Sequence, residues 1–301
     1  MLSKGSKAII SASFAVLSWS TVATAFKLAL EHLTHFELLL IASSTALLIN
    51  ALILTFRHHW GALRSVSRGK LEYFAMLGLL NPVLYYLILF KSYSLLPAQI
   101  AQPINYVWPV ILTILLALFT HRSIPKLKYA GLLISLSGVA VISLGTSKIG
   151  HFQVSGFGIF LAVLSAVLWA IYWMVRNRRN DKTDATVALF LCFLFGTAYL
   201  LIMACFVGFP RLTTAGALCG MYVGCFEMGI PFIAFGYAMR NTDNPALINQ
   251  MCYLAPFLSL FFIAIVLHEP IVTTTYLGLG LIVAGILFNQ YAVKTRHQKA
   301  S

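Results

Sequence analysis

Apolar runs separated by short polar gaps follow one another along the whole chain. A helix needs about 20 apolar residues to cross the hydrocarbon core of a bilayer at about 1.5 Å per residue. Ten segments meet that requirement: Ala8–Leu30, Phe36–Phe56, Leu71–Phe90, Leu95–Phe119 and Leu127–Leu144, then Phe157–Val175, Val187–Val207, Ala215–Met239, Ala246–Leu267 and Thr273–Val293. The gaps between them leave no room for a separate soluble domain. The pattern predicts an all-α membrane protein of ten transmembrane helices.

Composition agrees. The 301 residues are 60% hydrophobic and only 10% charged, with a mean hydropathy of +0.87. Soluble domains carry about 25% charged residues. The net charge of +13 does not point to nucleic acid, because the Lys and Arg lie in the gaps and not on one patch. If the N-terminus is cytoplasmic, every Lys and Arg but Lys27, Lys91, Lys148 and Arg211 falls on the cytoplasmic side, as the positive-inside rule requires. Both termini are then cytoplasmic, and the basic loops face anionic headgroups. The five cysteines sit inside apolar runs with no CxxC pair, so neither a disulfide framework nor a metal site is expected. Lys4 and Lys7 lead directly into a long apolar run, which reads as an uncleaved first helix.

The chain repeats itself. At a constant offset, Tyr106 matches Tyr253, Pro109 matches Pro256, His121 matches His268 and Ile124 matches Ile271. Tyr129 then matches Tyr276, Gly131 matches Gly278 and Gly138 matches Gly285. One residue of slip brings Pro97-Ala98 onto Pro245-Ala246. The equivalent loops differ in charge: one holds Arg122, Lys126 and Lys128, the other reads His268-Glu269-Pro270 with no Lys or Arg. Five helices per half and opposite loop charge predict two inverted repeats, 1–147 and 148–301, with a substrate site between them near the midplane.

Trp19 and Lys27 in the first helix, the Pro109-centred fourth helix, the Gly131/Gly138 fifth helix and His268-Glu269-Pro270 before Gly278/Gly285 resemble EamA-type domains. The resemblance spans the chain and points to the ten-helix branch of the drug/metabolite transporter superfamily. It implies export or exchange of amino acids, other metabolites or drugs across a bacterial inner membrane. Within it, Asn105-Tyr106-Val107-Trp108-Pro109 resembles the aromatic amino-acid exporter group. Two departures stand out: Ala42-Ser43-Ser44-Thr45 lies where many such domains carry an Arg, and Trp19-Ser20 replaces Trp-Gly.

Ionisable groups at bilayer depth are costly and therefore mark function. Of the eight Asp and Glu, only Glu227 lies at the centre of a span; it is the candidate for proton coupling, against the plainer reading of a structural acid. Lys27, near the outer end of the first helix, either snorkels to the headgroups or faces the cavity. The fourth helix offers Gln102, Asn105, Tyr106 and Trp108, and the ninth Asn249, Gln250 and Tyr253. Amides cannot face lipid, so these faces point inward, to a cavity or to another helix. Trp19 and Trp169, with Asn81 and Tyr85 of the third helix, complete the predicted lining, while Tyr172 and Trp173 read as interfacial belt residues. Pro82, Pro103, Pro109, Pro231 and Pro256 are candidate helix breaks, since proline frees backbone carbonyls. The glycines of the fifth and tenth helices read as packing contacts.

The expectation is a secondary transporter of a small metabolite by alternating access, with no cofactor, acting as a monomer or homodimer. No phosphate-binding loop for ATP occurs. A channel would need a continuous polar pore, and a membrane enzyme a catalytic cluster that Glu227 alone does not supply. Reporter fusions at His59 and Asp181 should read cytoplasmic, and those at His32, His151 and Pro270 external. A cytoplasmic signal at His151, between the halves, would contradict the inverted arrangement.

Overall fold

The computed structural model describes residues 3–120, 126–147, 154–178, 183–210 and 213–298. The topology markers His151 and Asp181, and the loop residues His121, Arg122, Ile124, Lys148 and Arg211, lie outside them. No strand occurs among the described residues.

The first two crossings are unbroken helices, α1 (Lys4–Leu30) and α2 (His35–Phe56). A capping box starts α2: Thr34 Oγ1 accepts from Glu37 N at 3.3 Å, and Glu37 Oε2 accepts from Thr34 N at 2.8 Å. After a short turn, α3 (Gly61–Arg64), the third crossing runs through α4 (Arg68–Gly78), a widened π-type turn over Leu79–Leu84, and α5 (Tyr85–Leu95). The fourth is α6 (Ala98–Asn105) followed by α7 (Trp108–Thr120), and then comes α8 (Lys126–Ser147). The second half opens with α9 (Gly156–Arg178) and α10 (Ala185–Val207). Next are α11 (Thr214–Val223), a π-type turn over Gly224–Gly229, and α12 (Ile230–Arg240). The chain continues through α13 (Pro245–Met251) and α14 (Leu254–Val266) to α15 (Thr273–Gln298). Asp184 caps α10 by accepting from Thr186 and Val187 N–H groups. Partial burial pushes its carboxyl up, but those bonds outweigh burial and hold it below the usual carboxylate range.

Eight helical stretches among the described residues are long and apolar enough to cross a membrane, and two further apolar helices are shorter, Tyr129–Ile142 and Thr273–Phe288. Several crossings differ from the uninterrupted helices that hydropathy predicts. The fourth begins at Ala98 and not at Leu95, because Leu96 precedes proline and is extended (φ −126°, ψ 150°). It then breaks at Tyr106-Val107, just before Pro109. The ninth breaks at the matching place, Cys252-Tyr253, before Pro256. Pro82 and Pro231 sit in or directly after the π-type turns of the third and eighth crossings. Pro103, by contrast, lies inside the continuous α6.

The helices of the two sequence halves interleave. α1 packs on α12 and α14, α2 on α10, α5 on α9, and α8 on α15. The α8–α15 contact is the most extensive. A methyl group at Gly138 would meet the carbonyl of Gly278, and one at Gly285 would meet the carbonyl of Gly131 and the side chain of Ser135. Between these points Ser135 Oγ donates to the carbonyl of Ile282 at 3.1 Å. As the residue number rises along α8 it falls along α15, so the two helices run antiparallel. Each glycine meets the counterpart of the other, and Ser135 meets its own counterpart, which is the signature of a local two-fold axis.

Because the nearest obstacle at Gly138 is the backbone carbonyl of Gly278, Gly138→Leu should cost about 1–3 kcal/mol or more and lower the melting temperature of the purified protein. Gly280→Ala, which points into open space, should melt as the parent does.

Candidate functional site

The breaks in four crossings meet one another. Glu227 lies in the π-type turn before α12 and Asn81 in the one before α5. Tyr86 Oη donates to Glu227 Oε1 at 2.9 Å, and Trp19 Nε1 donates to the Glu227 carbonyl at 3.4 Å. Tyr85 Oη donates to Asn105 Oδ1 at 3.2 Å, and Asn105 Nδ2 donates to Ser165 Oγ at 2.9 Å. Tyr106, in the break of the fourth crossing, lies within electrostatic reach of Glu227 and of Cys252 in the break of the ninth.

Aromatic rings wall this junction. Tyr85 stacks on Trp169 with centroids 4.6 Å apart, and Trp169 stands edge-on to Trp108 at 6.4 Å and to Phe232 at 6.2 Å. Trp19 packs against Phe232 and Phe235 at 5.6 and 5.5 Å. Tyr86, Tyr85 and Trp169 are enclosed, at 1, 5 and 9% exposure. Glu227, Trp19, Tyr106, Trp108 and Phe232 are half-buried. Gln102 and Asn81 are also buried, and the side-chain oxygen of each has no hydrogen-bond partner.

Of the residues singled out from sequence, Trp19, Tyr85, Asn105, Trp108, Trp169 and Glu227 are therefore brought together, with Tyr106 beside them. Asn249 and Gln250 are not: both are exposed. Their helix, α13, is only seven residues long and buries Ile248 against Ala8, Ala12 and Ala238, which turns the amides away. Tyr253 is half-buried at the following break. Tyr172 is not an interfacial belt residue; it is 2% exposed, stacked on Trp169 at 5.3 Å and hydrogen-bonded by Arg176 at 3.0 Å.

Lys27 is engaged by the backbone of a neighbouring helix. Its Nζ donates to the carbonyls of Tyr93 and Leu96, 3.1 Å each, which caps the C-terminal end of α5. Glu269 accepts from Ala98 N at 3.3 Å at the start of α6. Gln99 donates to the Pro270 carbonyl at 3.0 Å and accepts from Val272 N and Thr275 Oγ1 at 3.2 and 3.1 Å. This cluster ties the α5–α6 corner to the segment between α14 and α15.

Sequence reasoning missed Phe232 and Phe235 as site residues. Phe232 and Phe235 follow Glu227 on the same crossing, but phenylalanine inside an apolar run carries no distinguishing signal. A separate cleft of about 390 Å³ between α1, α11 and α14 is lined by apolar groups such as Ala25, Leu28 and Phe262; it holds none of the candidate residues.

Removing the acceptor for the buried Tyr86 hydroxyl should cost about 1–3 kcal/mol. Glu227→Leu should thus melt several degrees lower than the parent, while Glu227→Gln, which keeps an oxygen for that hydroxyl, should melt close to it. Equal melting of both variants would show that the bond carries no weight.

The comparisons with known proteins agree with this architecture. The profile of the EamA-like transporter family matches residues 6–144 and again 156–291. An uncharacterised transporter of Bacillus subtilis, YvbV, is 27% identical over 74% of this chain and 72% of its own length. The aromatic amino acid exporter YddG of Salmonella typhimurium is 23% identical over 64% of this chain and 67% of its own. A probable terminal-alkyne amino-acid exporter of Streptantibioticus cattleyicolor is 25% identical over 68% of each chain. One crystal structure superimposes with a TM-score of 0.67 at 21% identity, covering 96% of this chain and 98% of that one, which shows a shared fold. Matched twice, on either side of its middle, the chain belongs to the EamA-like transporter family.

Proposed function

We propose that this membrane transporter carries a small amphipathic metabolite such as an amino acid outward across a bacterial inner membrane, by alternating access between two inverted five-helix repeats. The meeting of four broken crossings around Glu227 carries the reading. Broken helices that line a midplane site between repeats are the recurring construction of secondary transporters. The antiparallel, two-fold contact between α8 and α15 supports inversion, and supports counting those shorter apolar helices as the fifth and tenth crossings. The names of two relatives as amino-acid exporters support the substrate class.

The equivalent half-helices α6 and α13 differ, which suits one state of an alternating cycle. Every residue of α6 is buried, and its outer end is tied down by Lys27, Gln99 and Glu269. Among the described side chains of α13 only Ile248 is fully buried. With the charge-derived orientation, the molecule is closed toward the outside and open toward the cytoplasm. Glu227 is the coupling group: protonating it removes a charge from bilayer depth when no substrate is bound, so proton and substrate can alternate.

Proteoliposomes loaded with unlabelled phenylalanine should take up labelled phenylalanine by saturable counterflow. An imposed pH gradient should drive net accumulation in the parent protein. Glu227→Gln should retain exchange at saturating substrate but lose accumulation driven by the gradient. Normal gradient-driven accumulation by the variant would remove Glu227 from coupling; a parent that ignores the gradient would be a facilitator; conductance without saturation would mean a channel.

A further inference from the structure

The contacts around Glu227 close into a ring. From the carboxylate, the chain of contacts passes to Tyr86 through the 2.9 Å hydrogen bond and from Tyr86 to Tyr85 at 4.6 Å. It continues to Trp169 at 4.6 Å, to Phe232 at 6.2 Å and to Trp19 at 5.6 Å. It returns to Glu227 through the indole N–H, 3.4 Å from the backbone carbonyl. One carboxylate is thus set into a closed circuit of aromatic side chains drawn from α1, α5, α9 and α12.

Among the described residues no cation of the protein serves this carboxylate. The salt bridges among the described residues are His59–Asp184 and Arg68–Glu72. Lys27 is held by two carbonyls beside Glu269, and Arg176 is bonded to Tyr172 and lies 5.4 Å over the ring of Trp173. Glu227 Oε1 receives the Tyr86 hydroxyl, and its second oxygen has no hydrogen-bond partner among the described residues. Of the buried polar atoms without a partner on the neighbouring elements, Asn81 Oδ1 and Gln102 Oε1 are acceptors and Trp173 Nε1 is a donor; the amide donor of Asn105 is taken by Ser165.

We propose that this ring binds an organic ammonium group carried on a flat or apolar body, and that a carboxylate on the substrate is dispensable. The proposal names the substrate class of the transport site and so rests on the transporter reading. Aromatic faces attract a cation through their quadrupole, most strongly when water is excluded, and an unpaired carboxylate in a bilayer gains most from a cationic partner. A substrate anion, in contrast, would meet Glu227 with like charge and find no unengaged Lys or Arg beside it among the described residues.

Binding of 2-phenylethylamine, phenylalanine and 3-phenylpropionate to the purified protein in nanodiscs separates these requirements, read by quenching of tryptophan fluorescence. The amine should bind at least as tightly as phenylalanine, and the acid about tenfold more weakly or worse. Glu227→Gln should weaken amine binding by about tenfold and erase the preference over the acid, whereas Glu227→Asp, which keeps the charge, should retain it. Trp169→Ala should weaken the amine and phenylalanine together; a thermal melt of each variant confirms folding. Binding of the acid as tightly as the amine, unchanged amine binding in Glu227→Gln, or binding of none of the three would overturn the proposal. Phenylalanine counterflow without amine preference would sink the ammonium site and leave the transporter standing. Amine binding without counterflow of any of the three would do the opposite.

Discussion

Hydrocarbon offers no water to the backbone groups that a broken helix sets free, so every interruption inside a bilayer has to be answered by protein or by an internal aqueous space. Four crossings break among the described residues, and their breaks and the corners between them are answered by side chains from other helices. The turn at Gly224–Gly229 exposes the Glu227 carbonyl, and Trp19 donates to it. The extended corner at Leu96 leaves carbonyls that Lys27 takes up. The start of α6 has N–H groups to satisfy, and Glu269 accepts from one. The side chains that solve these local problems are the same ones that shape the interior. Site and fold are therefore one piece of physics here, not a scaffold with chemistry added.

Much of this was legible in the order of residues. Glu227 stood out because a carboxylate mid-span has no innocuous place to go, and Trp19, Asn105 and Trp169 because polar or amphipathic groups at depth need partners. Other features were invisible for definite reasons. Phe232 and Phe235 look like any lipid-facing phenylalanine until α12 is placed against α1. Tyr85 and Tyr86 are indistinguishable in sequence, yet the π-type turn before them sends one hydroxyl to Asn105 and the other to Glu227. Asn249 and Gln250 obeyed the rule that amides avoid lipid only in the wider sense, since a seven-residue half-helix can leave one face open. The partners of Lys27 were not legible, because helix-end carbonyls do not show in a hydropathy trace.

The glycine contacts between α8 and α15 show a third kind of legibility. Their spacing in sequence marked a packed face, but a sequence repeat alone cannot say which face meets which. The pairing of Gly138 with Gly278, and of Gly131 with Gly285, makes the repeat a spatial relation. Side chains at those points would hold the helices apart, and with no hydrophobic drive between helices in lipid, close backbone approach is what fastens them.

The interleaving of helices bears on how the chain is made. α1 leaves the ribosome first, yet two of its packing partners are α12 and α14. From Leu30 to Leu254 is a little over 200 residues, about 10–45 s of synthesis at 5–20 residues per second. Through that interval Trp19 lacks the Glu227 carbonyl, Tyr86 lacks its acceptor, and Lys27 waits for Glu269. The early helices must be held near the insertion machinery, or shelter their polar groups against one another, until the last crossings arrive. A ribosome stall after α8 would leave in the membrane a half-molecule that lacks the partners its own surfaces were shaped to meet.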